Sequence, residues 1–272
     1  MMSHRILKAK RFWVVILSVP LFLWGWYWVY HNKTLGFSVA KISSNFSYDP
    51  AWATLEPQGA ELDHLKEIFH QKFTYLAAGS QSYAFASEDG KYVIKFFRMK
   101  HLIPKITDYL HPDKVEHRRQ NLLSIFSAHK LAYEELRQET GLIYLHLNKS
   151  RHLQTTLHVV DRLGRPHQIN LDKTEFVVQE KAELIFTRLK KLLQKGDHEA
   201  VERSIAAVME LVRHRIDLGI ADHDKAVTHN YGFVGERAVH LDIGRIYKEK
   251  KLKDYDRIEG RIRKWVTENS SS

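Results

Sequence analysis

At 272 residues, with 44% apolar and 27% charged side chains, the chain has the make-up of one globular unit with room for a real core. Cysteine is absent, which excludes a disulfide framework and any thiolate zinc site, and the 17 histidines are scattered without ligand spacing. The net charge of +10 comes without a nucleic-acid motif or aromatic interleaving, so no nucleic-acid partner is expected.

Residues 1–11 form a basic tail with Arg5, Lys8, Lys10 and Arg11. Phe12 to Tyr30 (FWVVILSVPLFLWGWYWVY) then runs 19 residues without a charge. At about 1.5 Å per residue such a helix crosses the roughly 30 Å hydrocarbon core of a bilayer. Pro20 predicts a kink, which lipid-embedded helices tolerate, and the aromatics from Trp24 to Tyr30 suit a membrane–water interface. A cleaved signal peptide is the rival, but its cleavage signal, Ser38-Val39-Ala40, lies well downstream; an uncleaved single-pass anchor is favoured. The basic tail before the span, against Lys33 alone closely after it, sets the N-terminus in the cytoplasm. Much of the remaining positive charge gathers in 98–105, 188–195 and 248–264. It is expected to meet anionic lipid headgroups beside the anchor, with solvated helix faces as the plain alternative.

Residues 31–57, rich in Asn, Ser and Pro, read as a juxtamembrane linker. Glu61–Lys72 has apolar residues at helical spacing and is expected to pack on a sheet. In Tyr75–Arg98 (YLAAGSQSYAFASEDGKYVIKFFR) two strands flank the turn Glu88-Asp89-Gly90, and Gly79 lies in a small-residue loop before the first strand. The second strand, Tyr92–Phe97, is apolar apart from Lys95, whose ammonium needs an anionic partner if buried.

A helical region spans Asp113–Glu139 and ends at Thr140-Gly141. Leu157–Asp161 and His167–Leu171 pair as a hairpin, and Glu175–Ala182 is the next strand. Helices follow at Glu183–Lys195 and His198–Leu218; the second carries a stripe of Val201, Ile205, Val208, Leu211, Val212 and Ile216 that belongs to a core.

That helix leads into GIADHDKAVTHNYGFVGERAVHLDIG, residues 219–244: a polar loop with Asp222, Asp224 and Asn230, a hairpin of Tyr231–Val234 and Ala238–Leu241, then Asp242-Ile243-Gly244. Oxygen ligands gathered this way suit a hard cation held by a few carboxylates and by substrate phosphates. Of the 28 residues after Gly244, 248–265 (KEKKLKDYDRIEGRIRKW) read as a charged helix with one weak apolar face.

The stretches 75–98 and 219–244 together resemble the protein-kinase-like superfamily in order and spacing. The resemblance covers Tyr75 to Gly244 and implies an α+β fold: a β-rich N-lobe over 58–181 and a reduced helical C-lobe over 182–272, preceded by the transmembrane helix 12–30. LAAGSQSYAF resembles the phosphate-covering loop, with Ala77, Gly79 and Ser82 at the family's glycine positions. VIKFF resembles the strand of the phosphate-binding lysine, Lys95. The helix ending at 139 is the counterpart of the one that offers that lysine a glutamate, here Glu134 or Glu135. Positions 179–182, including Glu180 and Ala182, stand for the hinge that meets the adenine. Asn230 and Asp242 match the metal ligands, and Asp224 matches the catalytic aspartate.

The family keeps four residues between that aspartate and the Asn, whereas five separate Asp224 from Asn230. Either the loop bulges or Asp222 is the functional acid; Asp224 is favoured. The resemblance implies ATP and Mg2+ as cofactors. The segment that docks peptide substrates in protein kinases is missing after Gly244, so the size is nearer that of lipopolysaccharide-core sugar kinases. Two functions remain open: a membrane-anchored phosphotransferase acting on a lipid-linked sugar or a protein, and a pseudokinase that presents a surface to a protein partner.

Overall fold

The computed structural model describes residues 37–99, 112–224, 226–249 and 255–270, together with residues 19, 20, 22, 25, 102 and 108. The expected span 12–30 lies almost wholly outside the described residues, and the basic tail lies outside them altogether. Among the described residues no helix is long and apolar enough to cross a membrane.

Residues 37–57, expected as a linker, are packed into the protein. Phe37 and Ile42 are 1% and 0% exposed. The Phe37 ring lies edge-on to Tyr83, Phe85 and His167 at centroid distances of 5.2, 5.0 and 5.2 Å. The cause is composition: four aromatics, Phe37, Phe46, Tyr48 and Trp52, interrupt the polar run, and three of them find apolar partners.

Helix α1 (Ala60–His70) follows, burying Leu65, Ile68 and Phe69. Strands β1 (Phe73–Ala78), β2 (Ser82–Ser87) and β3 (Tyr92–Phe97) form an antiparallel meander. The β2–β3 turn uses Gly90 at φ +71°, a conformation open to glycine at low cost. Helix α2 (Pro112–Glu135) and the single turn α3 (Arg137–Thr140) replace the one helix expected, and Gly141 at φ +64° closes α3 in the left-handed region. Strand β4 (Leu142–His146), the hairpin β5 (Thr156–Val160) and β6 (Pro166–Asn170), and β7 (Phe176–Glu180) complete a seven-stranded sheet of order β4-β7-β3-β2-β1-β5-β6.

The rest of the chain is mainly helical. A two-residue strand β8 (Glu183–Leu184) leads into α4 (Ile185–Gln194) and α5 (His198–Asp217). Strand β9 (Ile220–Asp222) precedes the polar loop; β10 (Tyr231–Val234) and β11 (Arg237–His240) form the hairpin that follows it. Strand β12 (Ile246–Lys248) returns to pair with β9, setting Ile246 opposite Asp222. Helix α6 (Tyr255–Asn269) packs against α5.

The chain is thus a mixed α/β structure with a seven-stranded sheet and helices. One core lies between the sheet and α1; a second, in the helical part, lies under α5. Between them a third cluster joins Phe97, Phe126 and Leu145 to Ile220, Ile243 and Ile246, so the sheet and the loop-bearing strands share buried surface. That shared core fixes the sheet's lysine relative to the acidic loop.

Candidate functional site: a lysine–aspartate cavity beneath the β1–β2 loop

Lys95 lies mid-way along β3, opposite Ala84 of β2 and Val177 of β7. Its Nζ donates to the carbonyl of Leu241 at 2.8 Å, which brings it next to Asp242. Burial pulls the Lys95 pKa down from the ordinary lysine value, and the Asp242 carboxylate pushes it back up in part. The two groups share a cavity of about 160 Å³. Its roof is the β1–β2 loop, Gly79 to Ser82; its walls include His129, His229 and Ile243.

The roof is a tight turn, with the amide of Gly79 donating to the carbonyl of Ser82 at 3.0 Å. Arg98, just past β3, braces it. Its guanidinium donates to the Gly79 carbonyl at 2.7 Å and to the Tyr83 hydroxyl at 2.9 Å, and its amide donates to the Gln81 carbonyl at 2.8 Å. Ala77 pairs with Ala84 in the β1–β2 ladder and does not line the cavity.

Glu135 does not meet Lys95; its carboxylate accepts from Lys248 on β12. Glu134 pairs along the helix with Lys130 at 3.5 Å. The α2 residue on the cavity wall is His129, between one and two turns earlier. Its Nδ1 donates to the Ile125 carbonyl at 2.8 Å, and its ring lies edge-on to Phe97 at 4.8 Å. Burial lowers the His129 pKa to about 4, so at neutral pH this wall residue carries no charge. Asp242 is thus the acidic residue lining the cavity with Lys95.

In the acidic loop the cavity is lined by His229 and not by Asn230. Asn230 is 1% exposed, and its backbone carbonyl accepts from the Leu241 amide at 2.7 Å. Its side-chain nitrogen is buried without a partner, and it does not line the cavity. The neighbouring His229 does.

Asp222 is a strand residue, 7% exposed, with its Oδ2 3.3 Å from His240 Nε2 and its Oδ1 accepting the Asp224 amide at 2.7 Å. Burial on its own raises its pKa. The imidazole of His240, the Asp224 amide and the Arg215 charge outweigh it and hold the carboxyl below the usual aspartate value. Asp224 is half-buried and caps the loop, its Oδ1 accepting the Ala226 amide at 2.8 Å.

The expected hinge residues hold the two parts of the chain together. Glu180 pairs with Arg237 of β11, and its amide donates to the Gly141 carbonyl at 2.8 Å. Ala182 lies against Gly232: a Cβ added there would sit 3.2 Å from the Ala182 Cβ and 2.7 Å from the Glu183 carbonyl oxygen. Neither Glu180 nor Ala182 lines the cavity.

Chemically the cavity offers one desolvated ammonium, one exposed carboxylate and the backbone of a tight turn. That donor set fits a phosphate with a carboxylate-held hard cation, whose other positions oxygen and water would fill. Asn230 is buried away from it, and an imidazole at 229 suits magnesium less well than an amide oxygen.

Comparison with protein-family models gives no match, and comparison with curated proteins gives none either. Among solved structures, the complex of Rv3197 with erythromycin from Mycobacterium tuberculosis is similar to this chain at 16% identity and a TM-score of 0.35. The match covers 68% of this chain and 48% of that one, and a TM-score of 0.35 carries no argument about fold or activity.

Proposed function

We propose that the chain is a kinase-like phosphotransferase, tethered to a membrane by segment 12–30, that transfers phosphate from Mg-ATP to a hydroxyl acceptor. The observation that carries the reading is the meeting of Lys95 and Asp242 in one cavity beneath the Gly79–Ser82 loop, although the two lie far apart in sequence. The kinase-like resemblance implies that meeting, and the division into a sheet-rich half and a helical half agrees with it. Lys95 would neutralise nucleotide phosphates, and Asp242 would hold the magnesium that shields their charge. Asp224, at the start of the loop, would orient the acceptor hydroxyl. Positioning and charge neutralisation carry most of phosphoryl transfer, so these few groups are sufficient in kind. The acceptor class, a lipid-linked sugar or a protein, follows from the resemblance alone.

A second reading, a pseudokinase that tethers a protein partner at the membrane, is favoured by one observation. The α2 residue on the wall with Lys95 is a neutral histidine, and the helix glutamates pair elsewhere. ATP turnover by the full chain separates the two readings. A phosphotransferase releases or transfers the γ-phosphate at a rate that falls at least about a hundredfold in Asp224→Asn, while nucleotide affinity changes little. Binding without turnover in the wild type leaves the pseudokinase.

A further inference from the structure

The cavity is too small for what it is proposed to hold. Its 160 Å³ compares with about 300–1,000 Å³ for sites that take whole ligands, so it is nearer to one phosphate group than to a nucleotide. Gln81 is among its lining residues and lies across it to Gly244. A Cβ built on Gly244 would lie 1.6 Å from Gln81 Oε1 and 2.6 Å from its Cδ. The Gln81 side chain therefore rests directly on the Gly244 backbone, with Nε2 3.5 Å from the Gly244 carbonyl. Gly244 does not have a positive φ. Its want of a side chain serves this close approach and not an unusual turn.

The main chain around Gln81 is held on both sides. The Arg98 amide takes the Gln81 carbonyl, the Arg98 guanidinium takes that of Gly79, and Gly79 and Ser82 bond to each other. The part left to move is the Gln81 side chain, held by one contact at the outer limit of hydrogen bonding.

We propose that Gln81 is a gating residue whose side chain closes the β1–β2 loop onto Asp242-Ile243-Gly244 and must swing away to admit phosphates. The proposal rests on the nucleotide reading of this cavity. It sets nucleotide entry by a side chain that no charge arrangement in the site would single out. Gly244 is the other half of the gate, since any side chain there evicts Gln81.

The test uses the full chain, stopped-flow association of an ATP analogue carrying a methylanthraniloyl fluorophore with Mg2+, and hydrogen exchange of the nucleotide-free protein. Gln81→Ala and Gly244→Ala are each expected to raise the association rate about twofold, the factor for one hydrogen bond at the weak end of the net range. The double variant should gain nothing over Gln81→Ala alone, because both changes remove the same closure. Exchange in 79–82 and 241–245 should quicken in parallel. Unchanged exchange in Gln81→Ala overturns the gate, and so do unaltered association rates in a protein that binds the analogue. If nothing binds, quickened exchange keeps the closure and discards the nucleotide reading. Should Gly244→Ala not fold, Gln81→Ala carries the test alone.

Discussion

Lys95 is half-buried, and its surroundings disfavour its charged form. Its pKa is lowered by burial, so at every pH below the ordinary lysine value its charged form is disfavoured in the folded state relative to the unfolded one. The bond to the Leu241 carbonyl and the nearby Asp242 offset this only in part. Lys95→Met is therefore expected to leave stability unchanged or raise it by up to about 1 kcal/mol, as removing a strained functional group often does. Denaturant unfolding at neutral pH measures this, and a loss above about 1 kcal/mol would make Lys95 a structural residue. Asp222 follows the same logic with the opposite sign. Asp222 has a depressed pKa, so its contribution is present above the ordinary carboxylate range and is lost as pH falls through and below it. Asp222→Asn should destabilise the protein at pH 7 and flatten its acid-unfolding limb. An acid-unfolding limb in Asp222→Asn as steep as that of the wild type would contradict this.

At the scale of elements, the segment 37–57 is the least expected part of the structure. Beyond Phe37, it lays Phe46 and Trp52 on Phe126 of α2, at centroid distances of 6.2 and 5.7 Å. Lys130 of α2 donates to the Ala53 carbonyl at 2.8 Å, and Thr54 donates to the Leu145 carbonyl at 3.0 Å. A fragment that begins at Ser44 loses Phe37 and Ile42 and should not melt cooperatively. Phe37→Ala should cost about 3–5 kcal/mol, as for other buried phenylalanines. A fully stable Phe37→Ala protein would mean the segment only rests on the sheet.

The packing of 37–57 was not legible because sparse aromatics in a polar run have no period; their partners are set by tertiary contact. Long periodic elements were legible for the opposite reason: β3, the β5–β6 and β10–β11 hairpins and α5 lie within a few residues of where alternation, turns and helical spacing put them. β9 and β12 are three residues each, too short to carry a period, and β4 lies directly after a helix end that hides its start. In the site, Lys95 and Asp242 were legible because each is a charged residue where an apolar strand or hairpin stands next to it. His129, His229 and Gln81 were not. Their places depend on which face of α2 meets β3, on the course of the acidic loop, and on the absence of a side chain at Gly244.

For the whole molecule, the account joins a membrane tether to a phosphate cavity. Under the proposed function, the charge bias of the tail would put the C-terminal part across the membrane from the cytoplasm, and phosphate transfer would then require ATP on that side. A eukaryotic secretory lumen meets that requirement and a bacterial periplasm does not, so protease protection of the C-terminus bears on the reading directly. The central claim, that Lys95 and Asp242 hold the phosphates and cation of a nucleotide, is tested most directly by melting the full chain with and without Mg-ATP. At a hundredfold excess over the dissociation constant, binding to the folded state adds about 2.7 kcal/mol and raises the melting temperature accordingly. The account predicts that rise in the wild type, its loss in Lys95→Met and Asp242→Asn, and its retention in Glu135→Gln, whose carboxylate serves Lys248. A wild-type melting temperature unmoved by Mg-ATP, or a rise that survives both Lys95→Met and Asp242→Asn, would contradict it.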